Sequence, residues 1–511
     1  MQTEKRTLTL DEWINLILWS ALILGGIVRF LPGFLAGFPL NDGGMFLSMV
    51  KDLHATHYLL PEFTSYNYTG IPFAYPPLGF YFARLISDLF FVSEITLFRW
   101  LPPLIHVLTI WVFYMLAVEL SKSKKIGALS AAFYALTPGA FGWFIMGGGL
   151  TRSFGSLFLL LTLYSVLRLF QSGEKKYIFL SILSGGLTIT SHPEAGIHAA
   201  ATCILAWFFF GYTFRSFINA VIVGIGVLLI TSPWWASVLF YHGFSPILSA
   251  MHTGSNGTSI WGVLYNVFTD SGAFPILIIF RIAGVIWGAS KRYYFFLIWT
   301  FLPYLIEPRS APSVSFYPMT ILIALIFAEA IPWLMARVRG HVMQEERLHQ
   351  NPIYNIALLS LLMVIFIDSC LYGYRLVGNS LKSNDLEAMY WVKQNTPTNA
   401  VFITITGVPS AEIDPFIEWF PALGERQNLS TLQGYEWLLA DDFYKFHSEL
   451  SELQQCDSVD CVEDWAKHKK LSYNYVAVFK TQTTQIDELF VKDQNYQLIY
   501  SNDDVVIFNR K

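Results

Sequence analysis

The chain has 511 residues, of which 54% are hydrophobic, 17% aromatic and only 14% charged, against roughly 25% charged in soluble domains. A surface this poor in charge must face lipid. The formal net charge of −4 gives no electrostatic reason to bind nucleic acid, and four cysteines are too few for a disulfide scaffold.

The opening MQTEKRTLTLDEW has no cleavable-signal pattern. The apolar run 14–36 that follows exceeds the roughly 7–15 residues of a signal core, so it is expected to be retained as a first membrane span. A long loop over 37–96 comes next. Its stretch from Pro39 to Phe80 is too polar to cross a bilayer and too rich in Tyr, Phe and Pro for a simple linker. Asp42 precedes Gly43 and Gly44, which let backbone approach a ligand closely. It has two compatible readings: a general base toward an acceptor hydroxyl, or, with Asn41, the N-cap of a helix over 45–54. His54 and His57 either chelate or form interfacial surface. The run 76–92 starts Pro76-Pro77 and carries Arg84 and Asp88 at i,i+4. It is expected to lie in the interface as a helix rather than to span.

Ten further apolar runs follow, at 97–119, 126–147, 153–171, 177–191, 196–213, 217–240, 272–289, 293–307, 313–336 and 353–374. With the first they make about eleven spans, each near the ~20 residues a helix needs to cross. If 76–92 also spanned, every later loop would change side, and the positive-inside rule decides for eleven. The inner loops then hold Lys5, Arg6, Lys122, Lys124, Lys125, Lys175, Lys176, Arg215, Lys291, Arg292, Arg337 and Arg339. The N-terminus is expected in the cytoplasm of a multi-pass cell-membrane protein, and residues 379–511 outside.

The outer junctions hold the unusual polar groups. Arg152 follows three glycines and Arg309 follows Glu307-Pro308; a guanidinium beside a helix N-terminus suits a phosphate, or else it snorkels to the interface. Pro193 ends the fifth of these spans and places His192 and Glu194 at the outer surface. They can bind a divalent cation or a phosphate headgroup, or form an interfacial turn in which Glu194 caps a helix. Arg29 and Arg281 lie inside apolar runs, where a charge costs about 2.5–3.5 kcal/mol on insertion scales. Arg29 is within snorkelling reach of the outer surface; Arg281 lies midway along 274–289 and is harder to dismiss as a snorkelling residue.

The tail, 379–511, reads as a small soluble α/β domain, with a helix over 385–395, strands at 400–406 and 475–479, helical spacing over 436–455 and a hairpin over 496–508. It shows no glycine-rich phosphate loop and no metal signature, so a lid or scaffold is expected of it rather than catalysis. Cys456 and Cys461 either form a disulfide or stay reduced. Asn67, Asn256 and Asn428 begin N-x-S/T sequons on the outer side.

One span, then Asn41-Asp42-Gly43-Gly44, then GIPFAYPPL over 70–78, then Gly149 to Arg152, then His192-Pro193-Glu194, resembles the GT-C superfamily. These are polytopic glycosyltransferases that use polyprenyl-phosphate-linked sugars, such as protein O-mannosyltransferases and lipid A aminoarabinose transferases. The resemblance covers roughly 10–375. It implies an all-α membrane bundle of about eleven helices over 1–378, with Asp42 as catalytic base and Tyr75-Pro76-Pro77 shaping the cavity beside it. Sugar transfer with inversion to an acceptor hydroxyl on a glycan, lipid or protein is expected on physical grounds beside the resemblance, with Arg152, Arg309, Tyr75 and Arg281 on the donor phosphate or substrate, or a divalent metal cation held by His192 and Glu194. Two departures bear on metal use and acceptor. Ser153-Phe154-Gly155 follows Arg152 where mannosyltransferases place an aspartate, and the first loop has one acid before its glycines rather than two. The competing readings are a lipid-linked sugar flippase and a non-catalytic membrane scaffold.

Overall fold

Thr9 starts the first helix. Its hydroxyl accepts from the Glu12 amide while the Glu12 carboxylate accepts from the Thr9 amide, so two orphan donors are satisfied reciprocally. The helix, α1 (Leu10–Ala36), ends at Gly37, whose φ of 77° is left-handed and suits glycine. The computed structural model describes residues 8–253, 259–269, 271–339, 349–480 and 485–511. Lys5, Arg6, Asn256 and the Arg339 side chain lie outside the described residues.

The outer loop folds as α2 (Gly44–Ala55) and α3 (Leu78–Phe90). With 13 residues, α3 is too short to span. It buries Phe80 and Ala83 and exposes Leu85, Leu89 and Phe90, while Arg84 pairs with Asp88 and lies 2.7 Å from Glu94. His54 and His57 stay at the surface, His54 lying 3.6 Å from Asp88.

The membrane bundle continues with α4 (Glu94–Ser121), α5 (Lys124–Leu136), α6 (Gly149–Ser172), α7 (Lys175–Ser191), α8 (Pro193–Phe210) and α9 (Phe214–His242). After the short α10 (Ser245–His252) and α11 (Ile260–Phe268) come α12 (Ile276–Ser290), α13 (Tyr294–Ile306) and α14 (Ala311–Leu325). A π-turn joins α14 to α15 (Ile331–Arg339), and α16 (Pro352–Leu376) follows. Each of the eleven apolar runs thus contains a helix. Among the described residues, α1, α4, α6, α8, α9, the α14–α15 rod and α16 are long and apolar enough to cross a membrane. The run 126–147 is not one helix: α5 stops at Leu136. Pro138 forces Thr137 to an extended ψ of 122°, and two 3-10 turns fill the distance to the glycines before α6. Lys124 lies 3.8 Å from Asp11, so α1 and α5 begin at the same end of the bundle. The basic junctions α4–α5, α6–α7, α8–α9 and α12–α13 follow at that end by the antiparallel chain path, and the polar junctions lie at the other.

Arg29 does not snorkel. It is fully buried, donating to His106 Nδ1 at 3.0 Å and to the carbonyls of Gly25 and Ala135 at 2.9 and 2.7 Å. Those acceptors hold the charge inside the bundle more cheaply than lipid would.

The C-terminal domain comprises α17 (Ser383–Asn395), β1 (Val401–Ile405), α18 (Pro415–Leu423), β2 (Gln427–Asn428), α19 (Phe443–Gln454), α20 (Val459–His468), β3 (Tyr475–Phe479), α21 (Ile486–Lys492), β4 (Tyr496–Ser501) and β5 (Val505–Arg510). The sheet order is β2-β1-β3-β5-β4, with β1 parallel to β2 and β3, and β5 antiparallel to β3 and β4. Cys456 and Cys461 are joined as a disulfide. The expected helix over 436–455 shortens to α19, with 3-10 turns before it. Two sequon asparagines are not surface acceptors. Asn67 and Asn428 are fully buried; the Asn67 side chain donates to the Asn428 carbonyl at 3.1 Å and accepts from its amide at 2.7 Å. This pair ties the outer loop to the edge of the sheet.

Candidate active site

The start of α2 is the centre of the site. Asn41 has a φ of 51° and Gly43 a φ of 137°, so Asp42 sits between two residues with positive φ, where glycine and asparagine are best tolerated. Asp42 does not cap α2. The N-cap is Gly43, which has no side chain to offer. The Asp42 carboxylate turns instead to the start of α6. Its Oδ1 accepts from the Gly148 amide at 3.0 Å, and Arg152 Nη2 lies 3.0 Å from Oδ1 and 2.8 Å from Oδ2. Both side chains remain about one-fifth exposed, at 21% and 20%. A Cβ on Gly147 would stand 1.9 Å from the Asp42 carbonyl oxygen, and one on Gly148 2.4 Å from Oδ2. The glycine run before Arg152 is therefore a packing requirement of the aspartate. Arg152 is itself anchored: Nε donates to the Trp143 carbonyl at 2.9 Å, and the guanidinium lies 5.5 Å from the centre of the Trp143 ring.

The free amides of α2 are satisfied from the C-terminal domain. Glu418 on α18 accepts from Gly43 and Met45 at 3.2 Å each through Oε1, and from Gly44 at 2.9 Å through Oε2. Burial, and then the charge of Asp42, push its carboxyl up to about 8, against the pull of the three amides. The next residue, Trp419, donates from Nε1 to the Asn41 carbonyl at 2.7 Å. Sequence reasoning missed both residues. The available signal was a helix start at Gly43-Gly44 with no capping side chain of its own, together with one acid inside the apolar run PFIEWFPAL.

Tyr75 packs against the start of α6 and the His192 turn. Its hydroxyl is 3.2 Å from Thr151 Oγ1, and its ring lies 4.7 Å from Phe46, 6.2 Å from His192 and 6.1 Å from Trp437. Burial raises its hydroxyl pKa. The cap of α8 is His192, not Glu194: Nδ1 accepts from the Ala195 amide at 3.4 Å. Burial, aided by Arg152 and Arg309, lowers this imidazole to about 3, so it is neutral at physiological pH. Glu194 faces Arg309 Nε at 3.9 Å, and the Arg309 side chain is 60% exposed. Behind them Glu307 accepts from the Arg309 amide at 3.1 Å and from the Ser310 amide and hydroxyl at 2.9 and 2.6 Å. Burial alone would raise Glu307, but hydrogen bonds from His198 and Ser310 outweigh it and leave it at about 2.

Asp42, Arg152, Tyr75, His192, Glu194 and Arg309 thus meet at one end of the bundle. Arg281 has other partners. It is buried on α12, donating to the carbonyls of Val267 and Thr269, with Phe316 5.1 Å away, and so pins the segment after α11. Nor do the expected metal ligands form a cation site. Among the described residues no three His, Cys, Asp or Glu side chains converge. Asp42 is engaged by Arg152 and Gly148, His192 Nδ1 by an amide, and Glu194 by a guanidinium. This donor set does not fit a divalent cation.

The family model described as dolichyl-phosphate-mannose-protein mannosyltransferase matches residues 74–236. No curated protein sequence matches the chain. Its fold is shared by several solved structures, among them three membrane glycosyltransferases. The oligosaccharyltransferase of Archaeoglobus fulgidus is 13% identical, with a TM-score of 0.58 over 92% of this chain and 70% of that one. ArnT from Cupriavidus metallidurans, solved with undecaprenyl phosphate, is 13% identical, with a TM-score of 0.57 over 98% of each chain. The mycobacterial arabinofuranosyltransferase AftD is 14% identical, with a TM-score of 0.55 over 99% of this chain and 40% of that one. The fold is that of the GT-C membrane glycosyltransferases. The family match falls inside the membrane module that carries this fold.

Proposed function

We propose that this protein transfers a sugar from a polyprenyl-phosphate-linked donor to an acceptor hydroxyl on the extracytoplasmic face, with inversion. The observation that carries the reading is the Asp42 carboxylate, oriented by Arg152 and Gly148 yet partly open to water, with the exposed Arg309 at the same end of the bundle. Asp42 takes the proton of the acceptor hydroxyl. The acceptor oxygen bonds to the anomeric carbon as the bond from that carbon to the phosphate oxygen breaks, and the electron pair leaves on the polyprenyl phosphate. Arg309 meets that developing charge, while Arg152 acts through Asp42 as a positioning residue. Tyr75 packs beside them, its hydroxyl 3.2 Å from Thr151 Oγ1 on the same helix as Arg152. An amphiphilic donor needs such groups at headgroup depth, where its phosphate lies. The extracytoplasmic placement is supported by the basic residues at the opposite end of the bundle and by the disulfide in the C-terminal domain. A dolichol-phosphate complex of the archaeal oligosaccharyltransferase and the undecaprenyl-phosphate complex of ArnT support the class of donor.

The test is transfer by the purified protein in lipid nanodiscs, supplied with radiolabelled polyprenyl-phosphate sugars and a membrane extract as acceptor source. Wild type is expected to form a labelled product and Asp42→Asn is not. Label transferred equally by a folded Asp42→Asn protein would overturn the assignment.

A further inference from the structure

The C-terminal domain reaches the base from both sides. The carbonyl of Asn41, the residue before Asp42, is held by Trp419 Nε1 at 2.7 Å. The amide of Gly43, the residue after it, and the next two amides are held by the Glu418 carboxylate. Asp42 is thus suspended between two anchors that belong to adjacent residues of one helix, α18, more than 370 positions away. Asn41, a non-glycine residue, has a φ of 51°, a backbone state that persists where surrounding contacts over-determine it, and Gly43 takes its positive φ freely. Further contacts fix α18 itself. The Tyr66 hydroxyl donates to the Glu418 carbonyl at 2.6 Å, and Asp414 caps α18 through the amides of Phe416 and Ile417 at 2.9 and 3.2 Å. The fit is close: a Cβ on Gly43 would lie 2.8 Å from the Trp419 ring, and one on Gly44 2.6 Å from the Glu418 carbonyl oxygen.

We infer that Glu418 and Trp419 are positioning residues for the transfer reaction, and that the C-terminal domain is a working part of the active site rather than a detachable lid. This inference rests on the proposed transferase reading. Neither side chain is assigned contact with donor or acceptor. Their effect runs through the backbone on either side of Asp42, so it falls on the turnover step and not on donor binding. Misplacing a reacting group by about 1 Å costs on the order of 100-fold in rate.

The experiment compares wild type, Asp42→Asn, Glu418→Gln, Glu418→Ala and Trp419→Phe in the nanodisc transfer assay. Limited proteolysis checks that the C-terminal domain stays docked. Glu418→Ala removes all three acceptor contacts and is expected to lower kcat about 10- to 100-fold, with KM for the donor within about twofold. Glu418→Gln keeps an oxygen for Gly43 and Met45 and is expected to recover part of that loss. Trp419→Phe keeps the ring, loses the bond to Asn41 and is expected to lower kcat in the same way if more mildly. If wild type transfers sugar and Asp42→Asn does not, while docked Glu418→Ala and Trp419→Phe proteins keep full kcat, the inference is overturned and the transferase reading stands. A rise in KM without a fall in kcat also overturns it. If wild type transfers nothing, the transferase reading fails first.

Discussion

Arg152 places a single nitrogen, Nη2, against both oxygens of Asp42, at 3.0 and 2.8 Å across 110 positions of sequence. Its Nε is spent on the Trp143 carbonyl. The contact is therefore a point charge on a carboxylate, not a two-nitrogen fork. A lysine ammonium can occupy the same point, whereas alanine leaves the Asp42 carboxylate without its cation. Arg152→Lys is expected to keep transfer within about tenfold of wild type and Arg152→Ala to lose about 100-fold, measured as kcat at saturating donor. Equal losses for the two would mean that the guanidinium contacts substrate directly.

The glycines beside this pair make a second prediction. A methyl group on Gly148 would overlap the carboxylate oxygen at 2.4 Å and the Arg152 nitrogen at 2.8 Å. Gly148→Ala is therefore expected to separate the ion pair and to depress transfer about as far as Arg152→Ala. Gly147→Ala meets backbone at 1.9 Å and is expected to destabilise the protein by about 1–3 kcal/mol as an overpacking change. Gly224, in the middle of α9, has nothing within 4 Å of its added Cβ. Alanine there is expected to be neutral or to stabilise by up to about 1 kcal/mol through helix propensity. Thermal unfolding in detergent ranks the three; a Gly147→Ala protein as stable as Gly224→Ala would contradict the packing argument.

Apolar length and charge placement made the bundle readable. Spans 14–36, 97–119 and 353–374 emerge as α1, α4 and α16 with every end within four residues, a shift ordinary for boundaries read from sequence, because each is a long run bounded by polar residues. The run 126–147 differs from its expected single helix because the Thr137-Pro138 step and Gly139, Gly142 and Gly147 after it are apolar enough to pass as span but do not sustain helix. The candidate site was legible as a set of residue types at junctions of one end of the bundle: Asp42, Tyr75, Arg152, His192, Glu194 and Arg309 lie near one another. Their pairings were not. That Arg152 pairs with Asp42 depends on the turn at Gly147–Gly149, and local spacing carries no information about a partner 110 positions away. Glu418 was invisible for the same reason. An acid within an apolar helix of the tail gains meaning only once α18 is packed on α2. Arg281, expected on the donor, donates instead to the carbonyls of Val267 and Thr269, acceptors that its place in an apolar run does not reveal.

Asn67 and Asn428 supply a third prediction. Both head sequons, yet both side chains are buried, and Asn428 also bonds Thr404 at 3.1 Å. The folded protein is expected to carry no glycan at either position when produced in a glycosylating host, as read by intact-peptide mass spectrometry. Asn428→Ala leaves the buried groups around it unpaired and is expected to cost about 1–3 kcal/mol per lost partner. High occupancy by glycan at Asn428 in correctly folded protein would be incompatible with the docking of the sheet edge on the outer loop.

Glu418 also sets a pH dependence of stability. Its carboxyl has an ordinary value of 4.5 and is held at about 8 in the fold, by burial first and the Asp42 charge second. The groups facing it are Asp42 with Arg152 behind it, the hydroxyl-bearing Tyr66 and the amides of Gly43, Gly44 and Met45. Below pH 4.5 the group is protonated both folded and unfolded, and its stabilising term is fully present. As pH rises from 4.5 toward 8 the unfolded chain loses the proton and the folded chain keeps it, so stability falls across that window and levels off above it. Glutamine cannot titrate, so the stability of wild type relative to Glu418→Gln is expected to decline between pH 4.5 and 8, on the order of a few kcal/mol in total. Taking the difference between the two proteins cancels other buried acids such as Asp414, which is held at about 6 by burial. Unfolding midpoints measured at half-unit pH steps give the curve directly. A difference that stays flat from pH 4.5 to 8 would mean that Glu418 is ionised in the folded protein and that its carboxylate caps α2 as a full negative charge beside Asp42.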